Sequence, residues 1–237
     1  MSQRFYCPQP PTDGRYRLDP DESRHLTRVC RRGVGDLVEL FDGRGFATAA
    51  RVVVAGKDAV QLEAEGEPIV SPLPSCSIEV GSAVPKGDRF DWLVEKAVEL
   101  GVDRIVPLVT ERSVVDPRGS KLERLRRTIV EASKQSGRSR LMELAPPEAL
   151  PGFLRRPEGL RLLADPSGAP FDAWPAIQSG STVRLVVGPE GGLTDEEVAS
   201  AREAGWVPVR LASPILRIET AVLAGAASIL ARTQPVH

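Results

Sequence analysis

No run of eighteen apolar residues occurs in this chain, which rules out a helix long enough to cross a bilayer. The opening stretch MSQRFYCPQP lacks the apolar core of a secretory signal. Cysteine is scarce and scattered. Cys7, Cys30 and Cys76 are odd in number and form no C-x-x-C pair, so neither a disulfide framework nor a zinc site is expected. The expected setting is a reducing cytoplasm, with no membrane attachment and no metal. Net charge is almost absent too, with 31 Lys and Arg against 32 Asp and Glu, so the overall balance does not mark a nucleic-acid binder.

The distribution of charge says more than its sum. Between residues 118 and 140 lie eight bases (Arg118, Lys121, Arg124, Arg126, Arg127, Lys134, Arg138 and Arg140) against Glu123 and Glu131. A second cluster, Arg24, Arg28, Arg31 and Arg32, has no acid between Ser23 and Val34. Residues 141–210, by contrast, carry ten acids and six bases. Such asymmetry suits a polyanion-facing side on a neutral body, and equally describes solvated helix faces.

A chain of 237 residues, 41% hydrophobic, can bury the core of one large domain or two modest ones. Residues 1–70 read as a small β-rich domain. Asp36 to Phe41 alternates, Asp42-Gly43-Arg44-Gly45 is turn chemistry, Phe46 to Val54 is β-branched, and Ala59 to Ala64 alternates again. Pro20 to Arg31 between them suggests a short helix. Three prolines between Pro68 and Pro74 mark a linker, and residues 75–237 form the second domain.

There the pattern changes to strands alternating with helices, which implies an α/β domain with a mainly parallel sheet. Cys76–Val80, Ile105–Val109, Leu160–Ala164, Arg184–Val187 and Val207–Leu211 are strand candidates. Asp88 is placed to cap a helix with Phe90, Val94 and Ala97 on its apolar face, stopped by Gly101. Ser120-x-x-Glu123 and Thr194-x-x-Glu197 are capping boxes, the second with Leu193 and Val198 as a hydrophobic staple and Gly205 at its end. Leu122, Leu125, Ile129 and Ala132 share one face of the Ser120 helix, which leaves Arg124, Arg127, Lys134 and Arg138 on others, unneeded for folding. Glu219 to Arg232 is a last, Ala-rich helix.

Ligands of open α/β sheets bind beyond the carboxyl ends of the strands. Three loops qualify: Thr110–Arg112, Gly188–Thr194 and Ala212–Glu219. Gly188-Pro-Glu-Gly-Gly192 allows close backbone approach but has neither a P-loop Lys nor a dinucleotide fingerprint, and Glu190 with the acids at 195 to 197 repels phosphate. A cationic or zwitterionic ligand fits better, and a plain tight turn remains open. Apolar Ile215 and Leu216 suit the wall of an adenine pocket or a loop tucked on its own core, with Arg217 and Glu219 as an ordinary ion pair.

Lys96-Ala-Val-Glu-Leu-Gly-Val102, Glu111-Arg112-Ser113, Glu131-Ala132 with Gln135 and Arg138, Gly188-Pro-Glu-Gly-Gly192 and Leu216-Arg217-x-Glu219-Thr220-Ala221 occur in that order. Together they resemble the 16S rRNA uridine N3-methyltransferase family of the SPOUT superfamily. The stretch from His25 to Asp36, with Leu40-Phe41-Asp42-Gly43, resembles that family's PUA-like RNA-binding domain. Ala212 and Ile218 stand where the family usually has Gly and Thr.

The resemblance implies an α/β SPOUT domain with a parallel sheet and trefoil knot, preceded by a small PUA-like β-barrel. It implies S-adenosylmethionine bound by Leu163, Ala164, Val187, Gly188, Glu190, Gly191, Gly192, Leu211, Ile215 and Leu216, and a homodimer that completes the site. Arg112 matches an arginine at the reacting centre of related enzymes. Arg112 and Arg217 are candidates for holding uracil oxygens or phosphates, and Glu190 or Glu219 for accepting the N3 proton. Arg28, Arg31, Arg32, Lys134 and Arg138 would track the backbone of 16S rRNA, with the 30S subunit as partner. The alternatives are a related enzyme acting on another base or a ribose 2'-hydroxyl, and a non-catalytic RNA-binding assembly factor.

Overall fold

In the computed structural model the described residues are 3–56, 58–114 and 120–233, without the side chains of Ser120 and Lys121. Arg118 of the basic run lies outside them, as do the side chains of Lys121 and of Ser120, on which the expected capping box rests. The chain divides into two compact units: residues 1–73 with 130–141, and residues 74–129 with 142–237.

The first unit is a sheet of short strands: Arg4–Tyr6 (β1), Arg15–Arg17 (β2), Leu37–Phe41 (β3), Phe46–Ala55 (β4), Val60–Ala64 (β5) and Ile69–Val70 (β6). The strand order is β1-β3-β4-β5-β2, with β6 also on β4, and every pairing but β1–β3 is antiparallel. Alternation works as expected: Val38 and Leu40 join Phe5, Leu18, Leu26, Val52 and Leu62 in a buried core, while Leu37 faces outward. β1 and β2 have three residues each, too few to display a period, and β6 pairs inside the stretch read as linker.

The helix expected over Pro20–Arg31 is divided in two. Pro20–Arg24 (α1) is capped by Asp19, which accepts from the Glu22 amide at 2.8 Å. His25–Val29 then widens into a π-helical turn closed by Cys30 N–H to His25 C=O at 2.9 Å. Arg31, just after it, holds a left-handed φ of 53°. Cys7, Cys30 and Cys76 are free thiols, and burial pushes Cys7 up to about 11.

After residue 74 the chain runs Ser77–Ala83 (β7), Arg89–Glu99 (α2), Arg104–Val109 (β8), Ser120–Ser136 (α3, whose residues from 130 on belong to the first unit), Glu143–Leu144 (β9), Glu148–Ala149 (β10), Leu150–Leu154 (α4), Leu160–Ala169 (β11), Thr182–Val187 (β12), Asp195–Glu203 (α5), Val207–Val209 (β13) and Ile218–Arg232 (α6). The sheet order is β10-β8-β7-β12-β11-β13, with β9 on β8, and every pairing is parallel. This is the α/β architecture expected.

Both faces are covered, which explains the near-continuous apolar strands. On one side Val186 and Leu163 pack with Phe153 and Trp206, whose indole N–H donates to Leu154 C=O at 3.1 Å. On the other, α6 comes so close to β12 that a Cβ on Gly225 would meet Leu185 at 2.3 Å. Phe90, Val94 and Ala97 are buried as expected, but Asp88 makes no side-chain cap: its carboxylate is exposed, and α2 starts without one. The box at Thr194 does form, its hydroxyl accepting from Glu197 N and Glu197 accepting from Thr194 N at 2.9 Å.

One expectation about the basic helix is overturned. Lys134 is needed by the fold: its side chain is 6% exposed and hydrogen-bonds Glu22 and Glu131, all within the first unit. Burial pushes the Glu22 carboxyl up despite that bond. Burial works against the Lys134 ammonium as well, yet its bonds to Glu131 and Glu22 outweigh this and raise its pKa above the ordinary 10.5. Lys134→Met strands Glu22 in the interior, and a loss of about 3 kcal/mol is expected in urea unfolding. Adding Glu22→Gln recovers part of it. The lysine's contribution is complete below pH 10.5 and disappears as pH climbs through the raised value, a decline that Lys134→Met should lack.

Candidate ligand pocket at the sheet edge

The carboxyl ends of β11, β12 and β13 border a cavity of about 610 Å³. Each contributes a loop. β11 leaves its ladder after Ala164 and rejoins it at Ala169, and Asp165, Pro166 and Ser167 of this excursion line the cavity. The excursion is pinned at Gly168, where a Cβ would lie 2.4 Å from the Val209 amide nitrogen, and by Asp165 Oδ1, which accepts from the Ser167 amide at 2.7 Å.

The glycine loop after β12 supplies the second wall. Gly192 has a left-handed φ of 71°, and a Cβ on Gly188 would stand 3.0 Å from Leu193. Leu211, Ile215 and Leu216 after β13 form the third. Of the residues expected to hold a cofactor, Leu163, Ala164, Val187, Gly188, Glu190, Gly192, Leu211, Ile215 and Leu216 border this one cavity. Gly191 does not; its carbonyl accepts from Arg112 at 2.8 Å instead.

Arg112 therefore reaches the glycine loop from the end of β8. Its own loop is fastened twice: Thr110 N–H donates to Ser113 Oγ at 2.9 Å, and Glu111 N–H donates to Glu197 Oε1 at 2.9 Å. As Glu197 Oε2 also accepts from Thr194 N, one carboxylate joins the β8 loop to the start of α5. The capping box was legible in sequence; its second duty was not.

The expected Arg217–Glu219 pair is not formed. Arg217 is exposed at the N-cap of α6, and its guanidinium has no partner among the described residues. Glu219 is 6% exposed and faces Arg89, at 3.7 Å, which also reaches Glu190 at 3.4 Å. The first turn of α6 points these neighbours apart, and Arg89 from α2 takes the place assigned to Arg217. Sequence reasoning missed Arg89, for which no local signal existed. It also missed Asp165–Ser167, where Asp-Pro-Ser-Gly after an apolar strand is turn chemistry and was there to be used.

Chemically the pocket joins apolar walls to an acidic rim: Asp165, Glu190 and Asp195 outnumber Arg202. That favours a ligand with an apolar or aromatic body and positive charge over a phosphate. In the other unit, Arg28 and Arg31 are exposed and make no bond among the described residues, whereas Arg32 holds Gln3 at 2.9 Å. Arg138 is half-buried, and Lys134 is occupied as described above.

Residues 71–230 match the RNA methyltransferase domain, and residues 18–65 the RNA methyltransferase PUA domain. The chain belongs to this RNA methyltransferase family. Among its family relatives, a ribosomal RNA small subunit methyltransferase E of Synechocystis is 35% identical over 90% of this chain and 71% of its own length. One of Bacillus subtilis is 29% identical over 92% and 91%. Two solved structures share the fold closely. The small subunit methyltransferase E of Neisseria gonorrhoeae, bound to S-adenosyl methionine, has a TM-score of 0.87 and 32% identity over 98% of both chains. A putative methyltransferase of Legionella pneumophila, in complex with the same cofactor, has a TM-score of 0.88 and 29% identity over 97% of both.

Glu197→Ala removes at once the bonds to the Glu111 and Thr194 amides. A stability loss of about 1 kcal/mol is expected from the cap. Hydrogen exchange should accelerate at the Glu111 and Thr194 amides together; acceleration at Thr194 alone would show that the β8 loop holds without this carboxylate.

Proposed function

We propose that the protein methylates N3 of a uridine in 16S rRNA, using S-adenosylmethionine and acting on the assembled 30S subunit in the cytoplasm. The observation that carries this reading is the convergence of the β11, β12 and β13 loops on one cavity with apolar walls and an acidic rim. Leu163, Leu211, Ile215 and Leu216 suit the adenine ring, and Asp165, Glu190 and Asp195 suit the ammonium and sulfonium charges. The space that a Cβ on Gly188 would fill belongs to the same cradle. The relatives' names and the cofactor in the neighbouring structures support the choice of ligand and RNA. When bound, S-adenosylmethionine supplies an electrophilic methyl group.

The chain's own task is to present the base and favour loss of its N3 proton, since uracil N3 is a weak nucleophile while protonated. An unpaired or flipped uridine meets that need. Arg217, without a partner among the described residues, and the remaining donors of Arg112 are the groups to hold the uracil oxygens or flanking phosphates. In this reading residues 1–70 form the RNA-binding domain and 75–237 the catalytic one, joined at about 68–74. Arg28 and Arg31 follow the RNA backbone, with smaller parts for Arg32 and Arg138. A trefoil knot around the three loops and a homodimer completing the site belong to the same proposal.

Calorimetry with S-adenosylmethionine should show one site per chain, lost in Gly188→Val. Mass spectrometry of 16S rRNA from a deletion strain should show a missing N3-methyluridine. Loss of a 2'-O-methyl or of another methylated base would move the reaction elsewhere, and absent cofactor binding would favour an assembly factor. Arg28→Ala with Arg31→Ala should flatten the salt dependence of RNA binding by about two units of slope.

A further inference from the structure

Glu219 stands in the first turn of α6, between Ile218 and Ala221, which both line the cavity. Its side chain is 8% exposed, and Oε2 is buried with no hydrogen-bond partner among the described residues. Folded proteins rarely leave a buried acceptor unused, because the lost hydration is not returned. The other oxygen faces Arg89 at 3.7 Å, beyond hydrogen-bond range. Arg89 is itself anchored: Nε donates to the Lys86 carbonyl at 3.2 Å, and the terminal nitrogens divide between Glu190 and Glu219.

This is an uncommon use of an arginine. A bidentate fork on one carboxylate would hold it more tightly and would consume its acceptor sites. Here one guanidinium lies loosely between the glycine loop and α6. It compensates the charge of Glu219 and leaves Oε2 without a hydrogen-bond donor among the described residues. A positive charge is already supplied, so what the oxygen lacks is a donated hydrogen.

Building on the methyltransferase reading above, we infer that Arg89 is a positioning residue. It holds Glu219 so that Oε2 accepts the hydrogen of the substrate base, the imide N3–H of uracil. The N3–H bond breaks, the proton passes to Oε2, and the electron pair stays on N3, where the new bond to carbon is made. The proton leaves Glu219 for solvent once the product has gone. Glu190, the other carboxylate on Arg89, then serves to fix the guanidinium and is not the acceptor.

Arg89→Ala, Arg89→Lys and Glu219→Gln are compared with wild type by cofactor calorimetry, thermal unfolding and single-turnover methylation at saturating RNA and cofactor. Cofactor affinity should stay within about threefold of wild type in all three. The rate should fall about 100-fold in Glu219→Gln and on the order of tenfold or more in Arg89→Ala, with Arg89→Lys recovering most of the latter. A structural role would instead lower the melting temperature and would not be rescued by lysine. An unchanged rate in Arg89→Ala overturns the inference. So does a fall in cofactor affinity as large as the fall in rate for Glu219→Gln, which would give Oε2 to a cofactor ammonium or hydroxyl. Wild-type protein that binds no cofactor defeats the parent reading as well, and is told apart by calorimetry alone.

Discussion

In a parallel sheet every strand leaves by the same edge, and β12, β11 and β13 are neighbours in register, Val186 beside Leu163 and Val209 beside Ala164. Their exits are therefore about one strand spacing apart, roughly 4.8 Å. Three loops released so close together must either collide or share a cavity. The excursion at residues 165–168 settles this by leaving the ladder and returning to it, with Gly168 pressed on the Val209 backbone. The glycine loop then turns back over the end of β12, and α6 starts where the third loop ends. Everything chemical about the second unit hangs on that shared edge.

Loops of this kind carry little apolar surface to hold them, so polar fastenings do the work. Glu197 binds the amides of Glu111 and Thr194, Arg112 binds the Gly191 carbonyl, and Arg89 spans Glu190 and Glu219. Each joins segments that are 79 or more residues apart in at least one of its contacts. Half-exposed pairs of this sort add little to overall stability. Their value is positional: they limit the loops to a few arrangements while leaving the cavity open.

That separation also explains what could be read in advance. Strand and helix positions follow from periodicity, so β8, β12, α2 and α6 stood within a few residues of their expected places. Caps were legible only as positions. Thr194 and Glu197 close a box, but Asp88 at an equally suitable place stays in solvent. β1, β2 and α4 are too short to show a period. Contacts between distant segments leave no local trace, so Arg217 was paired with its sequence neighbour Glu219 while the true partner, Arg89, lay 130 positions away. The glycine loop and the Ile215–Leu216 segment were legible as loops beyond the strand ends, whereas Leu163, Ala164 and the assignment of the whole set to one cofactor came from family resemblance.

The basic residues show the same divide between composition and place. Counting gives Lys134 and Arg28 equal weight as phosphate contacts. Burial separates them, because an ammonium enclosed by Glu22 and Glu131 would have to give up both bonds to meet an anion. Arg124 is likewise engaged, with Asp91 at 2.6 Å. Arg28 and Arg31 are exposed and make no side-chain bond among the described residues. They project from a π-helical turn that ends in a left-handed Arg31, a conformation costing roughly 1 kcal/mol for a residue with a side chain. The turn is closed by Arg32 N–H to Leu26 C=O at 3.0 Å, and Leu26 is fully buried, so the hydrophobic core itself maintains the strained shape. Two guanidiniums without a partner among the described residues, held on a strained, core-anchored turn, are compatible with the RNA-facing role proposed for them.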